Sequence, residues 1–410
     1  MESTVASGLE ALLVKNEPMG PWLPEFSPER SKRYARLRKI GQGAFGEVAL
    51  LRDLWSGELL AGKCLSASAA SAGAYGQRSQ STAEPSLPKP VFRELAALRR
   101  LSGHPNIVNL VDAFPSNSEI MLVFDFAPSD LEVLIDRASS PLLETNVKSL
   151  VQMLLHGLVH IHDNGILHRD IKPANCLISP SGVLKIADFG LARPVPEASE
   201  ITEPGEDVAS PHAETVGVPS WEPTAGDMSH QVATRWYRAP ELLFGARRYD
   251  VGVDVWGAGA VLCELLALNP LCSGTSDIDQ LYRVLQLRGT PTATSWPEAH
   301  QLPDFSKIAF PPMPAKDLSR DVLPNASPPI VALADLMLCL DPFQRPSAAA
   351  CLLHDSFLTA PLPCDPAGLC LAPVSLPPAT YNGDSVLQRS PEAPGKSRKP
   401  LGPSYLDGTS

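Results

Sequence analysis

Closely spaced cysteine pairs are missing from this 410-residue chain: its eight cysteines are scattered and no C-x-x-C occurs. That excludes the usual zinc-site and thiol-redox spacings and points to reduced thiols in an intracellular compartment. A Lys/Arg stripe is missing too, and the net charge is −11, so nucleic acid is not an expected partner. The opening "MESTVASGLEALLVKNEP" has early acids and no basic n-region, so no secretory signal is read there. There is no long uncharged apolar run. The most apolar stretch, "VDVWGAGAVLCELLALNPL", carries Asp254 and Glu264 and is cut by Pro270, which fits a buried core helix, not a membrane span. A soluble chain without membrane partners is expected, and no internal repeat is found.

What is abundant is proline: 42 residues, about twice the average share. The prolines mark out the domain plan. Residues 1–33 hold four of them and no sustained pattern, so they read as a tail. From Tyr34 short strands follow: "YARLRKI", a glycine turn, "GEVALLRD", the turn "LWSG", and "ELLAGKCL". Residues 66–90 are low in complexity and read as an insertion. "VFRELAALRRL" (91–101) has helical spacing, "EIMLVFDF" (119–126) is a strand, and "NVKSLVQMLLHGLVHIHDNG" is an amphipathic helix stopped by Gly165. Helical signals dominate beyond 235 up to about Leu358, and residues 359–410 are proline-rich and expected to be disordered. A strand-rich part followed by a larger helical part is an α+β chain of two lobes.

Several short stretches carry chemistry. "GQGAFGEV" (Gly41–Val48) is a G-x-G-x-x-G-x-V match. A turn with no ligand is an equal reading of it alone. A dinucleotide fold would need a helix after the last glycine, whereas Glu47–Leu51 reads as strand, so the glycines sit at a hairpin tip able to lay N–H groups over phosphates. Lys63 lies on the next strand and is either an edge ammonium or the partner of a buried carboxylate, for which Glu94 is the candidate. "HRDIKPAN" (168–175) sets Asp170, Lys172 and Asn175 on one proline-containing loop, and "IADFGLAR" sets Asp188 after a strand. Asp170 suits a proton acceptor, Lys172 a stabiliser of transferred phosphate, and Asn175 with Asp188 two hard oxygen ligands for Mg²⁺.

Glycine flap, strand lysine, helix glutamate, H-R-D…N, D-F-G and "RAPE" occur in this order, and over residues 34–358 the chain resembles the eukaryotic protein kinases. "VATRWYRAPELLFGARRYDVGVDVWGAGAV" and "LRGTPTATSWPE" are similar to the cyclin-dependent and mitogen-activated group. "FDFAPSDLEVLI", "DFSKIAFPPMP" and "LLHDSFLTAPLP" are most similar to its ciliary branch, the cell-cycle-related kinases. The resemblance implies a two-lobed kinase fold and Mg-ATP-dependent phosphorylation of protein Ser/Thr before proline. It also implies a link to cilium or flagellum assembly or the cell cycle, with action in the cytoplasm, nucleus and cilium. It extends the nucleotide site to Ile40, Gly41, Gln42, Gly43, Ala44, Gly46, Val48, Asp125 and Ala127, and adds Thr234 to the catalytic group.

The resemblance also implies an activating phosphate. Ser229 stands five residues before Thr234, where these kinases carry an activating Thr, with Thr224 as an alternative. Arg93, Arg169 and Arg193 match the positions that grip such a phosphate. Departures from the pattern shape the reading. Gly62 replaces an apolar residue beside Lys63, which is expected to weaken the strand and its packing over adenine. "PKPVFRE" replaces the cyclin-gripping helix motif, leaving a non-classical cyclin or another activator as the partner. Ala44 and Phe45 replace inhibitory phosphosites. Residues 194–228 contain acids but no Lys or Arg and are read as a solvated loop, with a docking surface as the alternative. The rival functions are a mitogen-activated-type kinase, which needs T-x-Y where no Tyr occurs between Asp188 and Trp236, and a pseudokinase scaffold, which usually lacks one of the catalytic residues present here.

Overall fold

Short apolar stretches broken by glycine turns build the N-terminal lobe. In the computed structural model, which describes residues 28–43, 46–66, 89–116, 119–195 and 234–369, β1 (Tyr34–Gly43), β2 (Gly46–Asp53) and β3 (Leu59–Ser66) are followed by helix α1 (Lys89–Arg100), β4 (Leu110–Ser116) and β5 (Glu119–Asp125). The five strands form one antiparallel sheet in the order β1-β2-β3-β5-β4. Side chains alternate between its two faces. Val48, Lys63 and Leu122 lie opposite one another in register and share the inner face, which is turned toward α1. Tyr34, Ala49, Leu51, Leu60, Phe114 and Val123 form a separate apolar cluster on the outer face, with Met121 against it.

Register corrects the expectation about Gly62. It pairs with Ala49 and Val123 and therefore belongs to the outer face, while Ala61 shares the inner face with Lys63. A Cβ at Gly62 would lie 2.5 Å from Leu51 Cδ1 and 2.9 Å from Met121 Sδ. Leu51 and Met121 already fill that space, so the glycine removes no packing over a nucleotide.

The short strand β6 (Ser129–Asp130) and helix α2 (Leu131–Arg137) lead into the second lobe. Asp130 caps α2, accepting from Val133 N at 2.8 Å. Helix α3 (Glu144–Asp163) buries Val147, Leu150, Val151, Leu154, Leu155 and Leu158, the residues its sequence phase places on one face. Strands β7 (Ile166–Leu167), β8 (Cys176–Ile178), β9 (Leu184–Ile186) and β10 (Arg193–Pro194) follow, with sheet order β6-β8-β9 and a separate β7–β10 pair. The remaining helices are α4 (Pro240–Leu243), α5 (Gly252–Ala267), α6 (Asp277–Arg288), α7 (Leu318–Asp321), α8 (Pro328–Met337) and α9 (Ala348–Leu352). Helix α5 is buried on all sides from Gly252 to Leu265, as its apolar run predicts. No helix among the described residues is long and apolar enough to cross a membrane.

The folded unit extends past both expected tail boundaries. Pro28–Arg33 form a 3₁₀ helix, and Arg33 donates to Asp53 at 3.0 Å while its guanidinium lies over Trp55. At the other end, residues 359–369 lie on the helical lobe. The ammonium of Lys148, fully buried in α3, donates to the carbonyls of Thr359 (3.2 Å) and Pro361 (2.8 Å) and pairs with Glu144 at 3.0 Å. Cys364 N donates to Thr145 O, and Leu369 is buried. A charge inside the lobe needs acceptors, and these proline-rich residues supply them. Of the two expected insertions, residues 67–88 and 196–233 lie outside the described residues, as do the rest of both tails.

Candidate active site

The inner sheet face and α1 bring the first pair together. Lys63 Nζ lies 2.7 and 2.9 Å from the two carboxylate oxygens of Glu94 and 3.2 Å from Asp188 Oδ1. Burial works against the Lys63 charge, but the attraction of Glu94 and Asp188 outweighs it and raises the ammonium's pKa. Burial raises Glu94, against the pull of Lys63. At Asp188 burial also opposes ionisation, but Lys63 wins and the carboxyl is held below its ordinary range. The edge-residue reading of Lys63 is thereby excluded.

The loop between β7 and β8 supplies the second group. Lys172 Nζ lies 2.7 Å from Asp170 Oδ2, and Asn175 Nδ2 donates to the same oxygen at 3.0 Å and to the Asp170 carbonyl at 2.8 Å. Burial raises the Asp170 pKa despite Lys172. A more basic carboxylate is a better proton acceptor. Both donors of the Asn175 amide are used on Asp170, which leaves its oxygen for a cation. Asp188 has left-handed backbone (φ 65°) and one carboxylate oxygen toward Lys63. Two such oxygens suit Mg²⁺, which takes its other ligands from water and phosphate.

Of the predicted nucleotide residues, Ile40, Gly41, Gln42, Gly43, Gly46 and Val48 lie on the β1–β2 hairpin, with Gly43 opposite Gly46 and Gly41 opposite Val48. A Cβ on Gly46 would overlap the Cys64 carbonyl, so the hairpin tip lies against β3 only because that residue is glycine. Asp125 ends β5, and Ala127 follows in the connector to β6. Thr234 opens a 3₁₀ turn, Thr234–Tyr237. Ala44, Thr224 and Ser229 lie outside the described residues.

The three predicted phosphate-gripping arginines converge. Arg93 donates to Gly190 O (3.4 Å), Arg169 donates to Leu191 O (2.8 Å) and to the Tyr249 hydroxyl (2.8 Å), and burial together with the neighbouring Arg169 charge lowers the Arg193 pKa.

Sequence reasoning missed two residues. Asp254, in the first turn of α5, accepts from the backbone N–H of His168 (2.9 Å) and Arg169 (2.6 Å) and pairs with His162 Nε2 at 3.0 Å. Burial disfavours its charge, yet these donors keep its pKa low. They also offset the left-handed backbone of Arg169 (φ 66°), a conformation that costs about 1–2 kcal/mol. The signal was an acid inside an apolar run. Tyr249 gave none. His168 itself is fully buried edge-on to Phe189, with ring centroids 4.9 Å apart, which joins the catalytic loop to the segment after Asp188.

A cavity opens beside Asp170, lined by Arg169, Ile171, Tyr237, Arg238, Leu242 and Val253 among others. A buried carboxylate with a raised pKa, an ammonium beside it, a lysine–glutamate pair and two oxygens suited to a cation are the groups on which phosphoryl transfer calls.

Comparison with known proteins agrees with this geometry. The family described as protein kinase domain matches residues 34–357. Human cyclin-dependent kinase 20 is 41% identical over 340 residues, covering 82% of this chain and 86% of that protein. Cyclin-dependent kinase 7 of Xenopus laevis is 38% identical, covering 82% and 84%. Cyclin-dependent kinase D-1 of Arabidopsis thaliana is 39% identical, covering 82% and 73%. Among solved structures, a chain of the CAK complex of Chaetomium thermophilum bound to ATP-gamma-S superposes with a TM-score of 0.65 at 32% identity, covering 83% of this chain and 95% of that one. The chain therefore belongs to the protein kinase family, in its cyclin-dependent-kinase-like group, and is an ATP-dependent protein serine/threonine kinase.

Proposed function

We propose that this kinase is proline-directed and works with Mg²⁺ held by Asn175 and Asp188. The observation that supports the specificity is Arg238, which follows the Thr234–Tyr237 turn and lies with Tyr237 against Asp170, as in the segment that this group of kinases sets beside the acceptor. A residue just after the phosphoacceptor would face that segment, and proline has no N–H to leave unpaired there. The acceptor hydroxyl attacks the γ-phosphorus of ATP and the bond to the β,γ-bridging oxygen breaks. The hydroxyl proton goes to Asp170, while Lys172 and Lys63 hold phosphate oxygens. Mg²⁺, when bound, neutralises charge on the phosphates.

The partner is a cyclin-type or other activator that meets α1 without the classical motif. Lys63 and Glu94 are already paired in the single chain, so the partner's work is to hold α1, not to create the pair. The resemblance to the ciliary branch supports a role in cilium assembly or the cell cycle, in the cytoplasm, nucleus and cilium. An arrayed peptide library tests the specificity, with Asp170→Asn as blank. Strong preference for Pro directly after Ser/Thr is expected, and equal rates with Ala there would refute it.

A further inference from the structure

Two acids stand in the first turn of α6, and they face different ways. Asp279 turns back on its own end of the helix: its Oδ2 accepts from the Thr275 backbone N–H at 2.8 Å and pairs with Arg283 at 3.2 Å. Ser276 caps the helix by accepting from Asp279 N at 3.1 Å. Asp277 is needed for neither task. Its Oδ1 lies 3.0 Å from Arg235 Nε and 3.8 Å from Arg238 Nη1, so one carboxylate oxygen serves both arginines of residues 234–238. Its place at a helix N-terminus favours the negative charge.

The seat of that carboxylate is fixed. Gln280, fully buried, accepts from Gly274 N at 2.7 Å and donates to the carbonyls of Trp236 and Cys272, each at 3.3 Å. Gly274 O in turn accepts from the Trp236 indole at 3.1 Å, and Thr275 O from Arg235 Nη1 at 3.1 Å. A Cβ on Gly274 would lie 2.4 Å from the Gln280 backbone, so loop and helix close on each other because that residue is glycine. Residues 274–280 thus hold Arg235 and Trp236 through neutral partners, whereas the Arg238 guanidinium is reached from α6 by Asp277. An isolated pair on a half-exposed acid is weak, but here the side chain of Arg235, 11% exposed, anchors the same oxygen.

We infer that Asp277 is a positioning residue for substrate specificity: through Arg235 and Arg238 it holds the segment that faces the residue after the phosphoacceptor. This rests on the proline-directed reading above and deepens it, since an acid on a separate helix sets how that segment meets the substrate.

The test uses the full chain and two peptides that differ only in Pro or Ala after the acceptor Ser. Asp277→Asn removes the charge and keeps the size. A rise of about fivefold in KM for the Pro peptide is expected, the scale of one partly buried ion pair, with KM for the Ala peptide and for ATP within about twofold. The Pro/Ala ratio of kcat/KM therefore falls, and Asp277→Glu should restore it. In an Arg238→Gln background, Asp277→Asn should change the ratio by less than half as much. An unchanged ratio and peptide KM in Asp277→Asn overturns the proposal, as do additive effects in the Arg238→Gln background. So does an equal loss on both peptides that tracks a lower urea midpoint, the mark of a merely structural acid. A parent that phosphorylates both peptides equally strikes the proline-directed reading instead. In that case a higher peptide KM at an unchanged urea midpoint still supports the positioning role, and an unchanged KM overturns it.

Discussion

Replacing Lys63 with Met should unfold the site electrostatically before it unfolds the lobe. In the native chain the Lys63 and Glu94 side chains are 11% and 4% exposed. Breaking a buried ion pair by removing one partner costs about 3–5 kcal/mol, because the other charge stays behind without compensation. The lower end, about 3 kcal/mol, applies here because Glu94 can escape its penalty by taking a proton. Burial already raises its pKa, and only Lys63 holds it down. Without the ammonium, the folded variant binds a proton that the unfolded chain, with an ordinary carboxyl, releases. Stability then falls as pH rises from the ordinary carboxyl range through the folded value. Asp188 shifts the same way, since Lys63 is what lowers it. The deficit against the parent, read from urea midpoints, should therefore be clearly smaller at pH 5 than at pH 8. Adding Glu94→Leu should recover most of it at pH 8, since apolar residues often replace a buried pair without loss, while phosphoryl transfer remains absent. Equal deficits at both pH values and no recovery in the double variant would refute the reasoning.

Three further outcomes are expected. Asp188→Asn should abolish peptide phosphorylation while leaving the urea midpoint within about 1 kcal/mol of the parent, as it adds nothing to the core; normal turnover would rule out its place in the metal site. Ser229→Ala should lower activity severalfold; a fully active Ser229→Ala protein with no phosphate found there by mass spectrometry would exclude that switch. Truncation after Leu358 strips Lys148 of two carbonyl acceptors and should destabilise the chain by about 2–4 kcal/mol, with partial recovery by Lys148→Met; no recovery would mean that lost packing, not the ammonium, sets the cost.

The residues legible in the sequence are those whose chemistry fixes both type and spacing. Lys63, Glu94, Asp170, Asn175 and Asp188 each sit in a short motif, and the structure brings them around one cleft. Helices α3 and α5 were legible because burial of one face, or of all faces, writes itself into the apolar pattern. Three features were not. The outward face of Gly62 depends on strand register, and a shift of one residue would reverse it. Tyr249 accepts from Arg169, 80 positions away, a pairing that no local pattern encodes. The docking of residues 359–369 rests largely on backbone groups, the carbonyls of Thr359 and Pro361 and the N–H of Cys364, which no side-chain pattern marks, so their proline-rich composition suggested disorder.

The contact between Lys148 and the carbonyls of Thr359 and Pro361 spans 211 and 213 positions. A ribosome adds roughly 5–20 residues per second, so α3 waits some ten seconds or more for the acceptors of its buried ammonium. During that interval the lobe must either leave α3 loosely seated or hold the charge toward water. The helical lobe is thus closed last from its C-terminal end, and a nascent chain stalled before residue 359 should be cleaved by protease near α3 that a completed chain resists.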